Sequence, residues 1–297
     1  MTFISKAGRE PERIVVLWSA PRSASTAFEK AFQQRGDTDV VHEPYTDCYY
    51  FSRWRRSARY GDAADYLDYD GHVAEREICD RRREVVFVKE LAFQALHYST
   101  DHFLTNAINT FLIRQPAAVY QSLLALKPDF TEEEFGFGPM WSLYTRIGAR
   151  GGRVACVVDS DALRESPHAV LSDYCSRIGI GFDAKMLSWR PGPIRPWDPH
   201  EQQSQAKWHR TLEASTGILP PIRTRRDVLP QHVGILARAD DVYRRLRLIS
   251  FGLHGFPTQP DSANKPHIAS AGWATWGRPP THRDGALAQR PSPIDSD

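Results

Sequence analysis

The 297-residue chain has little of what marks several protein classes. Its four cysteines, Cys48, Cys79, Cys156 and Cys175, are too few and too scattered for a disulfide framework or a zinc site. They predict a reduced, cytoplasmic setting. No apolar run approaches the ~20 residues that a membrane-crossing helix needs, so no membrane partner is expected. The opening stretch MTFISKAGREPER has no apolar core and no cleavage signal, and secretion is not expected. An excess of one charge is missing too. Lys plus Arg is 38 and Asp plus Glu is 36, a formal charge of +2. Bulk charge therefore points away from nucleic acid as a partner, although a local patch could still bind it.

What is present is ordinary for a globular chain: 41% hydrophobic and 25% charged residues. Its length suits one large domain or two small ones, and the composition decides between them. From Gly252 to Asp297, Pro and Gly supply 12 of 46 residues, and no helical or strand period survives. Residues 252–297 are read as a poorly structured tail, with Trp273 and Trp276 as its one oddity, and residues 1–251 as the folded body.

Within the body, apolar β-branched runs alternate with helical segments. Strands are expected at Arg13–Trp18, Asp39–His42, Arg83–Val88, Asn109–Ile113 and Arg153–Val158. Helices are expected from about Ser25 to Gln34, over Tyr49–Tyr60, from Pro116, from Pro167 to before Gly179, and from about Gln231 to Ile249. Ser166 is the expected N-cap of the fourth and Gly179 its C′ residue. Strands that are apolar on both faces and followed by helices predict an α/β fold, a central parallel sheet flanked by helices in three layers. Ligands then belong at the carboxyl ends of the strands.

Two such ends carry candidate anion sites. The loop Ser19-Ala-Pro-Arg-Ser-Ala-Ser-Thr26 follows the first strand and opens a helix, where backbone N–H groups and the helix dipole gather anions. Arg22 adds a positive charge, and Ser23, Ser25 and Thr26 add hydroxyls. The nucleoside-triphosphate loop GxxxxGK[ST] is not matched: Ser19, Ala24 and Ser25 stand at its two glycines and its lysine. Thr26 followed by Glu29 equally suits a capping box with no ligand. At the fourth strand, Arg114 stands at the strand end and Ser122 two turns into the next helix. Both could reach one phosphate, or they could be a surface arginine and a solvated serine.

Taken as a pair, these two segments resemble the sulfotransferases that use 3′-phosphoadenosine 5′-phosphosulfate (PAPS). In that family a loop with a basic residue and Ser/Thr binds the 5′-phosphosulfate, and an Arg and a Ser eight residues apart bind the 3′-phosphate. The resemblance continues through His42-Glu43-Pro44, Val88-Lys89-Glu90, the segment Val158–Leu187, Trp208-His209 and Ala214–Gly217, covering about residues 13 to 220. It implies a P-loop-like sulfotransferase fold, PAPS as donor with the bisphosphate PAP as product, no metal, and a small hydroxylated molecule as acceptor.

Residue by residue, the resemblance implies a donor cradle of Arg22, Ser23, Ala24, Ser25, Thr26, Arg114 and Ser122. Arg22 and Lys89 would stabilise the charge that develops during transfer. Many relatives place a histidine two residues after the strand-end lysine, where this chain has Leu91. Glu43 replaces it as the expected general base, with a pKa raised by shielding beside Tyr45. Glu90, His42 and His97 are alternatives, and an ion pair of Glu43 with Arg22 is the bland reading.

The basic aromatic run with Arg53, Trp54, Arg55, Arg56, Arg59 and Tyr60 is read as a solvated helix face or a lid over an anionic cofactor. His200, His209 and His232 lack metal spacing and are read as surface or core residues. Phe135, Phe137, Trp141 and Tyr144 are read as core or as walls of an acceptor pocket. Two rivals stand beside this reading. One is a phosphotransferase using a nucleoside triphosphate. The other is a non-catalytic or repurposed nucleotide-binding protein on the same fold. Neither the acceptor nor the oligomeric state can be read from the residues.

Overall fold

A computed structural model describes residues 11–221 and 227–251. The expected tail from residue 252 lies outside these described residues. The elements follow in the order β1 (Arg13–Ser19), α1 (Ser25–Gln33), β2 (Thr38–His42), α2 (Thr46–Tyr50), α3 (Gly71–Cys79), β3 (Val85–Leu91), α4 (Ala92–Ala95), α5 (Asp101–Asn106), β4 (Ile108–Ile113), α6 (Pro116–Leu124), α7 (Glu132–Phe135), α8 (Phe137–Ala149), β5 (Val154–Asp159), α9 (Ser160–Glu165), α10 (Pro167–Arg177), α11 (Pro199–Glu213) and α12 (Val233–Phe251). The five strands form one parallel sheet in the order β2-β3-β1-β4-β5.

Alternation along each strand feeds two cores, and this makes three layers. Val16 and Trp18 of β1, Val86 and Val88 of β3, and Phe111 of β4 face one core, with α3, α6, α8 and α12. Val15 and Leu17, Val85 and Phe87, and Leu112 face the other, against α1 and α10. There the rings of Phe32 and Phe87 stack with centroids 3.9 Å apart, and Tyr174 meets Phe28 edge-on at 4.6 Å. Buried polar groups are satisfied across strands. Trp18 Nε1 donates to Asn109 Oδ1 at 2.9 Å, and Thr110 Oγ1 donates to the Val16 carbonyl at 2.8 Å.

The chain moves from β1 to β2 and β3 on one side, then to β4 and β5 on the other. The carboxyl end of β1 is therefore the switch point of the sheet, where crossovers diverge and leave a crevice. The loop 20–24 lies there.

Two local expectations are corrected and a third is met. The helix expected over Tyr49–Tyr60 stops at Tyr50. Ser52 accounts for the stop: its hydroxyl donates to the Cys48 carbonyl and accepts from the Trp54 N–H. The capping box of Thr26 and Glu29 does not form. The N-cap of α1 is Ala24, in the left-handed region, and Glu29 is buried against His42 instead. Ser166 occupies the N-cap position of α10 without a side-chain bond, while Gly179 sits past the helix end at φ 77°, as expected of a C′ glycine.

Candidate functional site

The loop after β1 is held under strain. Arg22 has φ 61° and Ala24 has φ 64°, a region that costs a residue with a Cβ roughly 1–2 kcal/mol. Non-glycine residues persist there only where the surroundings over-determine the backbone. One such surrounding is Gly136, at φ 87°, whose missing side chain lets Pro21 approach. A Cβ at Gly136 would stand 2.9 Å from Pro21 Cδ. Ser23 is fully buried, and its hydroxyl has no hydrogen-bond partner among the described residues. A buried unpaired hydroxyl beside a helix N-terminus is a donor open to an anion.

Arg22, Arg114 and Ser122 come together through Arg22. Its Nε donates to Ser122 Oγ at 2.9 Å, and its Nη1 donates to the Trp208 carbonyl at 2.8 Å. Arg114 Nη1 donates to the Arg22 carbonyl at 2.6 Å, and Arg114 Nε is buried without a partner. Burial and the neighbouring Arg114 charge lower the Arg22 pKa to about 10. Two guanidinium groups are thus held side by side on neutral acceptors.

Glu43 and Lys89 form the second cluster. They lie at the ends of β2 and β3, both almost fully buried, and the ammonium donates to the carboxylate. Burial pushes the Glu43 pKa up, but the Lys89 charge, His42 and the Lys89 hydrogen bond more than reverse it, to about 2. The expected raised pKa is therefore corrected, and the pairing partner is Lys89 rather than Arg22. Glu43 itself sits at φ 42°, a third strained residue of this site. Behind it, His42 Nδ1 meets Glu29 Oε2 at 2.7 Å, and His42 Nε2 lies 3.9 Å from Glu43 Oε1.

The alternative bases separate. Glu90 is fully buried and accepts the backbone N–H of Tyr45 at 2.9 Å and of Leu91 at 2.6 Å. Burial and the Glu43 charge push its pKa well up. It braces the turn after β2. His97 contacts Glu133 at 3.1 Å, and neither residue lines the cavity described next.

A cavity of about 220 Å³ joins these groups. It is lined by Arg22 and Thr26 after β1, by Arg114 after β4 and Arg164 in α9, and from the β2–β3 side by Glu43, Lys89, Tyr50, Tyr60 and Phe93, while Ser23 and Ser122 are not in the lining. The aromatic walls include Tyr50, Tyr60, Phe93 and Trp208. Phe135 and Phe137 belong to the core, and Trp141 stacks on Tyr144 at 5.6 Å, outside the lining. Of the basic run, Arg53, Arg55, Arg56 and Arg59 are engaged by Asp68, Asp62, Glu133 and Asp129.

His209 was expected on the surface or in the core, yet it lines this cavity. It stacks on Trp197 at 5.2 Å and meets His42 edge-on at 5.6 Å, with Nε2 buried and unpartnered. Burial, His42 and Lys89 lower its pKa to about 3, so the ring is neutral. Arg164 is a second lining residue that sequence reasoning missed. Its only signal is its place in the helix that directly follows β5, five residues past that strand's end. Gly217, at the expected closing segment, also lines the cavity and bridges to Ser188. Among the described residues no group of three or more His, Cys, Asp or Glu is placed to hold a metal ion, and no helix is long and apolar enough to cross a membrane.

The sulfotransferase domain family matches residues 13–245. The chain belongs to that family. Two curated relatives from Arabidopsis thaliana, branched-chain-amino-acid aminotransferase-like proteins 2 and 1, are 27% identical over 236 residues and 28% identical over 241. The matches cover 79% and 80% of this sulfotransferase-family chain but 41% and 42% of those proteins, so the chain spans about two fifths of their length. Among solved structures, the sulfotransferase domain of the Synechococcus PCC 7002 olefin synthase is 15% identical, with 80% of this chain and 98% of that one covered at a TM-score of 0.43. The sulfotransferase domain from the curacin biosynthetic pathway is 14% identical, with 86% and 95% covered at 0.42.

Proposed function

We propose that the protein transfers a sulfuryl group from PAPS to a hydroxyl of a small molecule. The observation that carries this reading is the convergence of Arg22, Lys89 and Arg114 on one cavity at the strand ends, where Arg114 Nε is buried without a partner among the described residues. Such a cradle fits a nucleotide with anionic groups at two places. PAPS supplies an activated sulfuryl group whose bond to the 5′-phosphate oxygen breaks as a new S–O bond to the acceptor forms.

The residues divide the remaining work. Arg22, Ser23, Ala24, Ser25 and Thr26 form the cradle for the 5′-phosphosulfate, and Arg114 with Ser122 serves the 3′-phosphate. Arg22 and Lys89 stabilise negative charge on the leaving phosphate. Glu43 accepts the acceptor's proton. Lys89 holds Glu43 ionised in the resting site. Any anion that draws the ammonium away removes that charge, and burial then raises the carboxylate's pKa, which makes it a better base. Tyr50, Tyr60 and Phe93 offer flat apolar walls to an acceptor, with PAPS on the opposite side of Glu43. The activity resides in residues 1–251.

Titration calorimetry with PAP, followed by mass spectrometry of reactions with PAPS and a panel of hydroxylated metabolites, tests this. Wild type binds PAP, Arg114→Ala loses that affinity about tenfold or more, and Glu43→Gln keeps binding but loses turnover. Failure to bind PAP, or indifference to Arg114→Ala, overturns the donor assignment. Binding without turnover on any acceptor favours a non-catalytic protein, and protection by magnesium–ATP favours a phosphotransferase.

A further inference from the structure

Arg164 has no part in the reading so far, and the fold places it beside one of that reading's main groups. Strands β4 and β5 are neighbours, with Ile113 paired to Asp159. Arg114 follows the first of these residues directly, and Arg164 lies in α9, five residues past the second. Both side chains line the same cavity. Both are also held by neutral acceptors. Arg114 donates to the Arg22 carbonyl, and Arg164 donates through Nε to the Leu219 carbonyl at 2.9 Å and through Nη2 to the Pro220 carbonyl at 2.7 Å. Burial, and then the Arg164 charge, lower the Arg114 pKa. The Asp161 carboxylate partly offsets the effect on both. Ser160, at the start of α9, is fully buried with an unpartnered hydroxyl.

Two guanidinium groups facing one cavity form a site for a doubly charged tetrahedral anion. A phosphate monoester has that charge near pH 7, and its oxygens match the planar donor fork. We infer that Arg164 is a direct ligand of the 3′-phosphate, acting with Arg114 from the neighbouring strand end. This rests on the sulfuryl-donor reading above. It also couples that phosphate to the 217–220 segment, because the same guanidinium now holds the carbonyls of Leu219 and Pro220.

The test compares PAP with adenosine 5′-monophosphate, which lacks the 3′-phosphate, by titration calorimetry. Arg164→Ala weakens PAP binding about tenfold or more and leaves the monophosphate within about twofold. Arg164→Lys keeps the charge but not the fork, and falls between wild type and Arg164→Ala for PAP. Asp161→Asn removes the competing carboxylate and tightens PAP alone. Equal loss for both nucleotides would assign Arg164 to the loop and overturn the inference, as would no loss for either. Wild type that binds PAP no tighter than the monophosphate also overturns it. Wild type that binds neither nucleotide overturns the donor reading itself.

Discussion

Replacing Lys89 by methionine tests the buried pair at the centre of the site. Lys89 and Glu43 side chains are 2% and 6% exposed. Methionine keeps the stem and removes the charge, which leaves a nearly buried carboxylate without its counter-charge. Removing one partner of a buried pair typically costs about 3–5 kcal/mol, because the other charge is uncompensated. The pH dependence gives a sharper signature. In wild type, Glu43 has a folded pKa below its unfolded value. Its contribution is therefore complete above the ordinary carboxylate range and is lost as pH falls from about 4.5 toward 2. In Lys89→Met the largest remaining influence is burial, which raises the folded pKa. The sign then reverses: stability is greatest below the unfolded pKa and is lost as pH rises above about 4. Urea unfolding at a series of pH values measures both curves. The double variant Lys89→Met with Glu43→Gln recovers more than about 1 kcal/mol of the loss at pH 7. A loss below about 1 kcal/mol for Lys89→Met, or a double variant no more stable than the single one, would refute the reasoning.

Ser23→Ala deletes a buried hydroxyl that makes no internal bond. The urea midpoint stays within about 0.5 kcal/mol of wild type, while PAP binding weakens about fivefold in calorimetry. Ala24→Gly relieves the left-handed backbone at φ 64°. Part of that gain is offset by the greater freedom of unfolded glycine, so thermal unfolding shows a net stabilisation of about 0.5 kcal/mol. Glu90→Gln turns an N–H group toward one of two backbone donors, those of Tyr45 and Leu91. It destabilises by about 1–3 kcal/mol in urea unfolding yet leaves PAP affinity unchanged.

The strands were legible because both faces of each are buried, so their apolar runs are continuous and bounded by turn residues. Loop 19–26 was legible as a position, since the first strand-to-helix turn of a parallel sheet is where its crevice opens. The pairings were not. Arg22 meets Ser122 and Trp208 across 100 and 186 residues, and Glu43 meets Lys89 across 46. Neither period nor composition records which strand ends become neighbours. The sign of the Glu43 shift was misjudged for that reason: burial alone raises a carboxylate's pKa, and only the sheet order brings Lys89 beside it. His209 was missed because a lone histidine on a helix has no local mark that separates a cavity wall from a surface. Its neighbour Trp208, within the segment that resembles other sulfotransferases, was the one available signal.

A common arrangement runs through these pairings. Arg22 is held by Ser122 and the Trp208 carbonyl, Arg114 by the Arg22 carbonyl, and Arg164 by the carbonyls of Leu219 and Pro220. A carbonyl acceptor satisfies a buried guanidinium donor but leaves its charge uncompensated, and this is why burial lowers the Arg22 and Arg114 pKa values. An anionic oxygen is the stronger partner in the same place. On the proposed reading, exchanging carbonyls for phosphate oxygens supplies binding energy and releases the carbonyls of Trp208, Leu219 and Pro220 at the same time. On the proposed reading, nucleotide binding and rearrangement of the cavity's C-terminal wall are a single event driven by charge. A neutral ligand in the same cavity cannot drive it, because it brings no anionic partner for which the arginines would leave their carbonyls.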